Sequence, residues 1–543
     1  MKCILDKKCL ICGKIVQDSS TKRPWEFICS DCSTKKVNTK PQGSALLGAL
    51  KREDNYTLTE NLAVTHKSTL NKLLDFFALG GALRSRTADE IIDLFDKAWS
   101  ENPLLAWKCA FYFRDIRGGQ GERQTFRTIL HYMGEAHPEV VKKNLANIAF
   151  FGRWDDLYVL VGTRSEQAMW EFMNNQFQLD MVSQTPTLLG KWLKSENTSS
   201  KISRALGKAT RNAFGLTSKS YRKALALLRT KINIVEKKMC SNNWGSIKYD
   251  QVPSRASMIY RNAFRKHDAD RYQAFLDAVE KGEVEIKTAT LYPYDVIRAI
   301  DQIGKNDQTL SLQWDNLPDY TNGGEESAIV VADTSGSMFG DRWAGRTRTV
   351  APIYVSVSLA MYFAERAKGP FQGHFITFSG KPALQEVIGD NIWRRWKNLS
   401  RADWQGNTNL QAVFDLILRT AVQNRLPQEE MVKKIYIISD MEFDSCVTWG
   451  SGYGYRYSKP QLTNFHAIAA KYKSAGYDLP TLVFWNVDAR NNQSPITIDD
   501  KGVFLVSGLS PSIFQHLMNS QCLDAVGMML EVLNKERYNQ ITI

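Results

Sequence analysis

The sequence predicts a multidomain chain in which a long α-helical solenoid is followed by an α/β doubly wound domain and preceded by a small cysteine-rich head. Three observations carry this reading. Apolar residues recur at three- and four-residue spacing between about 61 and 321. After 322, short β-branched or aromatic runs alternate with helical patterns, as in a parallel sheet. Two Cys-x-x-Cys pairs sit in the first 40 residues. With 543 residues the chain is too long for one core, and its 43% hydrophobic and 23% charged content are those of an ordinary folded protein.

In the head (1–40), Cys9 and Cys12 are separated by sixteen residues from Cys29 and Cys32. Four thiolates at this spacing fit a closed structural Zn²⁺ site, and so short a segment needs such a staple to fold. Cys3 is left over, and Trp25 and Phe27 supply a small apolar pack. Cys109, Cys240, Cys446 and Cys522 are widely separated and read as small buried hydrophobes in a reducing compartment. Residues 41–60 are polar, with Pro41, Gly43 and Asn55, and read as a linker. No run of ~18 apolar residues is found, and Asp6, Lys7, Lys8 and Lys14 interrupt any signal-peptide core, so a cytoplasmic protein without membrane contact is expected.

The helical region (61–321) shows its period in Leu70-Leu73-Leu74-Phe77 and in Ile91, Ile92, Leu94, Phe95 and Trp99. Thr87 with Glu90 forms a capping-box signal, and Gly118-Gly119-Gln120-Gly121 punctuates a turn. The net charge of +13 is concentrated here: residues 187–272 hold nineteen Lys and Arg against five acids, leaving the rest of the chain near neutral. Such a surface suits a polyanion, because neutralising phosphates releases counterions. The candidate contacts are Lys191, Lys194, Lys219, Arg222, Lys223 and Arg229, with Trp192, Tyr221 and Trp244 available either to stack on unpaired bases or to fill the core. RNA fits better than duplex DNA, since no groove-entering motif is evident.

Beyond Asn322-Gly323-Gly324, strands are expected at 328–332, 374–378, 434–439, 482–485 and 503–506, with helices at 353–367, 410–422 and 464–475. Asp333-Thr334-Ser335-Gly336-Ser337 follows the first strand directly, at the carboxyl edge where open α/β sheets bind ligands. Asp333, Ser335 and Ser337, with Thr408 before a helix and Asp440 after the strand 435–439, supply five oxygens for Mg²⁺ or another divalent cation. One position then stays open for an acidic group or a phosphate. A helix cap is the plainer reading of Asp-x-Ser-x-Ser. The pattern resembles a von Willebrand A domain (322–543), which implies a metal-ion-dependent adhesion site. No catalytic residues are assigned: there is no poised general base and no phosphate loop with its lysine, and a non-enzymatic protein is expected.

With Ile438-Ser439-Asp440-Met441-Glu442-Phe443 and Leu482-Val483-Phe484-Trp485-Asn486, the chain resembles TROVE-domain Ro ribonucleoproteins, especially their Ro-like bacterial and phage branch. Phe113 to Arg123, Phe151 to Leu157, Trp192 to Thr198 and Tyr221-Arg222-Lys223 are similar to segments of the family's helical repeats. The resemblance implies a monomeric ring of HEAT-like repeats closed by the von Willebrand A domain. It also implies that non-coding or misfolded RNA is bound, with single-stranded ends entering the ring. A non-enzymatic RNA-binding scaffold is therefore expected, with an acidic protein ligand as a further partner. The alternative is a metal-dependent protein adaptor with no RNA ligand.

Overall fold

Residues 5–8, 15–18, 45–343, 350–378, 381–401, 404, 408–444, 463–520 and 522–543 are described by a computed structural model. The chain divides into two compact units, Met1–Tyr56 and Thr57–Ile543. In the first, Leu5–Lys8 and Ile15–Asp18 pair antiparallel, with Lys8 opposite Ile15. Cys9, Cys12, Cys29 and Cys32 lie outside the described residues. The stretch read as a linker contains a helix, Ala45–Glu53, in which Ala45, Leu47, Ala49 and Leu50 are strong helix formers that outweigh Gly48.

The second unit begins its helices with α1 (Lys72–Gly80), whose first turn is capped by Asn71 Oδ1 accepting from the Leu74 N–H at 2.7 Å. Leu70 lies just outside it with φ 68°, so the apolar pattern starts two residues before the helix does. In α2 (Ala88–Glu101) the capping box of Thr87 and Glu90 forms as the sequence implies. Next, α3 (Pro103–Arg114) is buried continuously from Ala106 to Arg114 and packs between its neighbours α2 and α4 (Gln124–Ala136). Further helices follow: α5 (Glu166–Val182), α6 (Lys201–Ala213), α7 (Ser218–Lys231), α8 (Ser254–His267), α9 (Ala269–Glu280), α10 (Pro293–Ile303) and α11 (Gln308–Asp315).

The remainder is a mixed six-stranded sheet with its own helices. The strands are β1 (Ala328–Asp333), β2 (His374–Phe378), β3 (Ala383–Glu386), β4 (Lys434–Ser439), β5 (Thr481–Asn486) and β6 (Val503–Ser507), in the order β6-β5-β4-β1-β2-β3. All neighbours are parallel except β3, which runs antiparallel to β2. Every residue of β1 and β4 is buried, which explains their unbroken apolar runs. β3 carries no such run because it is a mostly exposed edge strand. The helices here are α12 (Pro352–Arg366), α13 (Ile392–Leu399), α14 (Leu410–Asn424), α15 (Asn464–Ser474), α16 (Ser512–Asn519) and α17 (Ala525–Leu533). Among the described residues, no helix is long and apolar enough to cross a membrane.

The helical series begins and ends on the sheet region. At its start α1 packs on β6 and α17; at its end α10 packs on α12 and α13. Gly81 makes the first contact possible: its N–H donates to Ser507 Oγ at 2.9 Å, and a Cβ there would lie 2.6 Å from the Ser507 carbonyl oxygen. The C-terminal segment closes the same seam. The fully buried Asp115 carboxylate accepts from Arg537 Nε at 2.5 Å and Nη2 at 2.8 Å, and from the Tyr538 hydroxyl at 3.2 Å. Asn144 and Asn147 donate to the carbonyls of Thr542 and Gln540.

Removing one partner from such a buried pair strands the other charge. Asp115→Ala is expected to destabilise the protein by about 3 kcal/mol in urea unfolding. An unchanged midpoint would show that the clasp carries no stability.

Candidate metal centre and nucleic-acid cavity

At the sheet's carboxyl edge, β1 and β4 lie side by side while the chain leaves β1 towards β2 on the other side, so their ends flank a crevice. Asp333 ends β1 with no exposure, and Asp440 follows Ser439, the last residue of β4, and is equally buried. Ser439 donates to Asp333 Oδ2 at 2.5 Å, and the Ser335 N–H donates to Asp333 Oδ1 at 2.9 Å. The hydroxyls of Ser335 and Ser337 lie 3.1 Å apart. Burial, and next the nearby Asp440 charge, push the Asp333 carboxyl well above the ordinary carboxylate range, against the lowering effect of its serine bonds. Met441 holds a left-handed φ of 67° directly after Asp440, a local strain of the kind that functional turns retain.

Thr408, also buried, precedes α14; its carbonyl accepts from the Asp444 N–H at 2.9 Å, and its Oγ1 receives Asn61 Nδ2 at 3.5 Å. The five residues picked out from sequence thus gather on adjoining loops, with Asn61 also donating to the Glu442 carbonyl at 2.6 Å. Two buried carboxylates with three hydroxyls form an all-oxygen set that suits a hard divalent cation, whose charge would relieve their repulsion. Among the described residues no three His, Cys, Asp or Glu side chains form a metal-binding group, so any cation here depends on the hydroxyls as well. Beyond Ser335 the chain enters a 3₁₀ segment, Gly336–Trp343.

Sequence reasoning missed the centre's outer contacts. Arg490 Nη2 donates to Asp440 Oδ2 and Arg490 Nη1 to Glu60 Oε2, both at 2.8 Å. The buried Glu442 carboxylate accepts from the Glu60 N–H, Asn491 and Gln493. Nothing local in the sequence marks Arg490 or Glu60; only the fold brings residues more than 400 positions apart together.

Two adjoining cavities of about 740 and 540 Å³ share Ile116, Arg153, Lys191, Trp192, Pro253 and Thr290 in their walls; the smaller is lined by the helical region alone, and the larger also by Val350 and Leu509 of the sheet region. Their lining holds Arg84, Arg114, Arg117, Arg123, Arg153, Lys191, Lys238, Lys248 and Arg255, but only two acids, Glu122 and Glu236. Each acid is already engaged, Glu122 by Arg84 at 2.6 Å and Glu236 by Lys191 at 3.9 Å. The Arg153 guanidinium lies 4.1 Å above the Trp192 ring. Arg114, Arg117 and Arg123 come from the run Phe113–Arg123 and Arg153 from Phe151–Leu157, whereas the charge count pointed only to later residues.

The predicted RNA contacts divide by environment. Lys191 and Trp192 line the cavity. Lys219, Arg222 and Lys223 are exposed on α7, alongside exposed Lys201, Arg204 and Lys208 on α6, and lie outside the cavity walls. Lys194 is half-buried beside Asp155 at 3.9 Å. Arg229 is committed to the protein: Nε, Nη1 and Nη2 donate to the Gly190 carbonyl, Ser195 Oγ and the Leu193 carbonyl. Tyr221 is fully buried, its hydroxyl donating to the Lys194 carbonyl at 2.8 Å, so no ring face is offered to a base. Trp244 stacks on His267 with ring centroids 4.4 Å apart. Much of the cationic excess is likewise spent internally, as in Arg261 and Arg265 on Asp307 and Arg271 on Asp268. Of the isolated cysteines, Cys109 is buried as expected, but Cys240 is exposed and Cys522 half-buried; Cys446 lies outside the described residues.

Residues 327–541 match the family described as Domain of unknown function (DUF7788), and residues 59–188 and 180–322 match Domain of unknown function (DUF2828). The junction between the two matches coincides with the change from helices to sheet. Uncharacterized protein L728 of Acanthamoeba polyphaga mimivirus is 26% identical over 533 residues, covering 90% of this chain and 89% of the relative.

Arg229→Ala, which leaves three acceptors without their donor, is expected to cost about 2 kcal/mol of stability, whereas Lys219→Ala and Arg222→Ala should stay within about 0.5 kcal/mol. Chemical denaturation of the three variants checks this, and equal effects would mean that Arg229 is no more structural than its neighbours on α7.

Proposed function

We propose that this protein is a non-enzymatic RNA-binding scaffold in which the helical region forms a ring, closed on a von Willebrand A domain, that takes single-stranded RNA into its basic cavity. The observation that carries the reading is the cavity wall itself: two engaged acids face nine cations, of which Arg84, Arg114, Arg153, Lys191 and Arg255 are paired with carboxylates while Arg117, Arg123, Lys238 and Lys248 have no carboxylate partner among the described residues, with the Arg153–Trp192 stack in the shared part. Guanidinium and ammonium groups meet the phosphates of an unpaired strand, and an aromatic face accepts a base without reading its identity. Two openings of a few hundred Å³ suit a single strand, not a duplex. The exposed cations of α6 and α7 offer a separate outer surface for structured RNA. The resemblance to Ro proteins agrees with this arrangement, as does a helical series that starts and finishes on the sheet region.

The metal centre is read as an adhesion site. Asp333, Ser335, Ser337, Thr408 and Asp440 would hold Mg²⁺, which when bound supplies a positive charge for an acidic group or phosphate. The protein's own part is to keep both carboxylates buried and to orient the hydroxyls through Ser439 and the Asp333 turn. In the head, Cys9, Cys12, Cys29 and Cys32 are assigned to structural Zn²⁺ on their spacing.

Single-stranded RNA should bind at ~50 mM salt and weaken steeply by ~200 mM, and Lys191→Ala/Lys238→Ala/Lys248→Ala should flatten the slope of log affinity on log salt by about 2. Electrophoretic titration of both proteins measures this. Absence of binding at the lower salt would overturn the RNA reading and leave a metal-dependent protein adaptor as the function to pursue.

A further inference from the structure

The segment that opens the second unit runs across the metal centre. The Thr59 hydroxyl donates to the Phe443 carbonyl at 2.7 Å, the Glu60 N–H to Glu442 Oε2 at 2.8 Å, and Leu62 bridges Asp444 antiparallel. Residues 59–62 thereby form a strap along 442–444, immediately beyond Asp440. Its side chains bracket the metal donors: Asn61 reaches Thr408, and Glu60 is joined to Asp440 through the two terminal nitrogens of Arg490. The loop on either side of Arg490 is pinned across the seam, whereas the Arg490 side chain itself is about one-third exposed. The Ala489 N–H donates to the Ala82 carbonyl, Ser85 to Asp488, and Asn491 to Glu442.

An acid held one guanidinium away from a metal-ligating carboxylate is the kind of group that an adhesion site's open position takes. Resting on the metal-centre reading, we infer that this position is filled from within: when a divalent cation occupies the centre, Glu60 is its acidic ligand and Arg490 is the cation it displaces from Asp440. Two like charges cannot share Asp440 cheaply in so buried a place. Once the metal takes that carboxylate, Arg490 is repelled and the Glu60 carboxylate, about half exposed, is released towards the metal. The centre then acts as an internal staple that fastens the start of the helical region to the sheet.

Changes at Glu60 and Arg490 should then act with opposite sign. Mn²⁺ binding to the full-length protein, measured by electron paramagnetic resonance, should weaken roughly tenfold or more in Glu60→Gln, as when a supporting ligand is lost. In Arg490→Gln it should tighten several-fold, because a competing cation is removed. Asp333→Ala should abolish it. If Asp333→Ala abolishes binding while Glu60→Gln and Arg490→Gln both leave it unchanged, or both weaken it, the centre stands and the internal ligand is overturned. If the unaltered protein binds no Mn²⁺, or Asp333→Ala binds as well as it does, the metal-centre reading fails and this inference with it.

Discussion

Arg114 and Asp115 are adjacent, opposite in charge and both almost wholly buried at the end of α3, and much of the second unit is organised around satisfying them. A buried charge is tolerated only when it is paired and hydrogen-bonded. Arg114 meets this demand locally through Asp156 at 2.7 Å, a carboxylate that also receives Arg127. Asp115 accepts locally from the Arg117 N–H at 3.0 Å but draws its countercharge, Arg537, together with Tyr538, from more than 400 positions away. The turn after them, Ile116 to Arg123, is thereby fixed as a wall of the basic cavity. Closure of the seam and shape of the cavity are two results of one electrostatic requirement.

Legibility in the sequence followed burial. β1, β4, β5 and β6 are buried along nearly their whole length, so their composition alone located them to within a residue or so. β3, exposed at the edge and without an apolar run, left no trace. α13, α16 and α17, at eight or nine residues, escape the sequence reading, although length alone is not the reason, since α1 is as short and its period is legible. A helix lies in what was read as a linker because Ala and Leu favour it whatever the surrounding polarity.

The two candidate sites differ in the same way. The five candidate donors stand out in the sequence because each sits beside a strand end or a helix start, where local pattern and position coincide. Their outer contacts, Glu60, Asn61 and Arg490, do not, since residues 60 and 490 carry no sign of each other. The basic cavity was legible only in part. Counting charge from 187 to 272 found Lys191, Lys238, Lys248 and Arg255, but it also swept in Arg229, Arg261 and Arg265, whose partners are protein groups. Arg84, Arg114, Arg117, Arg123 and Arg153 come from stretches of balanced composition, and only folding turns them to one face.

The strap at 59–62 meets residues 442–444 across more than 380 positions, and residues 537–542 return to Asp115, Asn144 and Asn147 across more than 390. Contacts of such long sequence separation form late, because the intervening chain must first be ordered. On the ribosome, the helices can pack as they emerge, but neither seam has its partner until the sheet and the last residues have been made. Until then the buried carboxylate of Asp115 lacks its countercharge, and α3 is expected to remain loosely held. A nascent chain that stops short of residue 537 therefore differs from one that includes it in more than length, and quality-control proteases have a physical basis for telling the two apart.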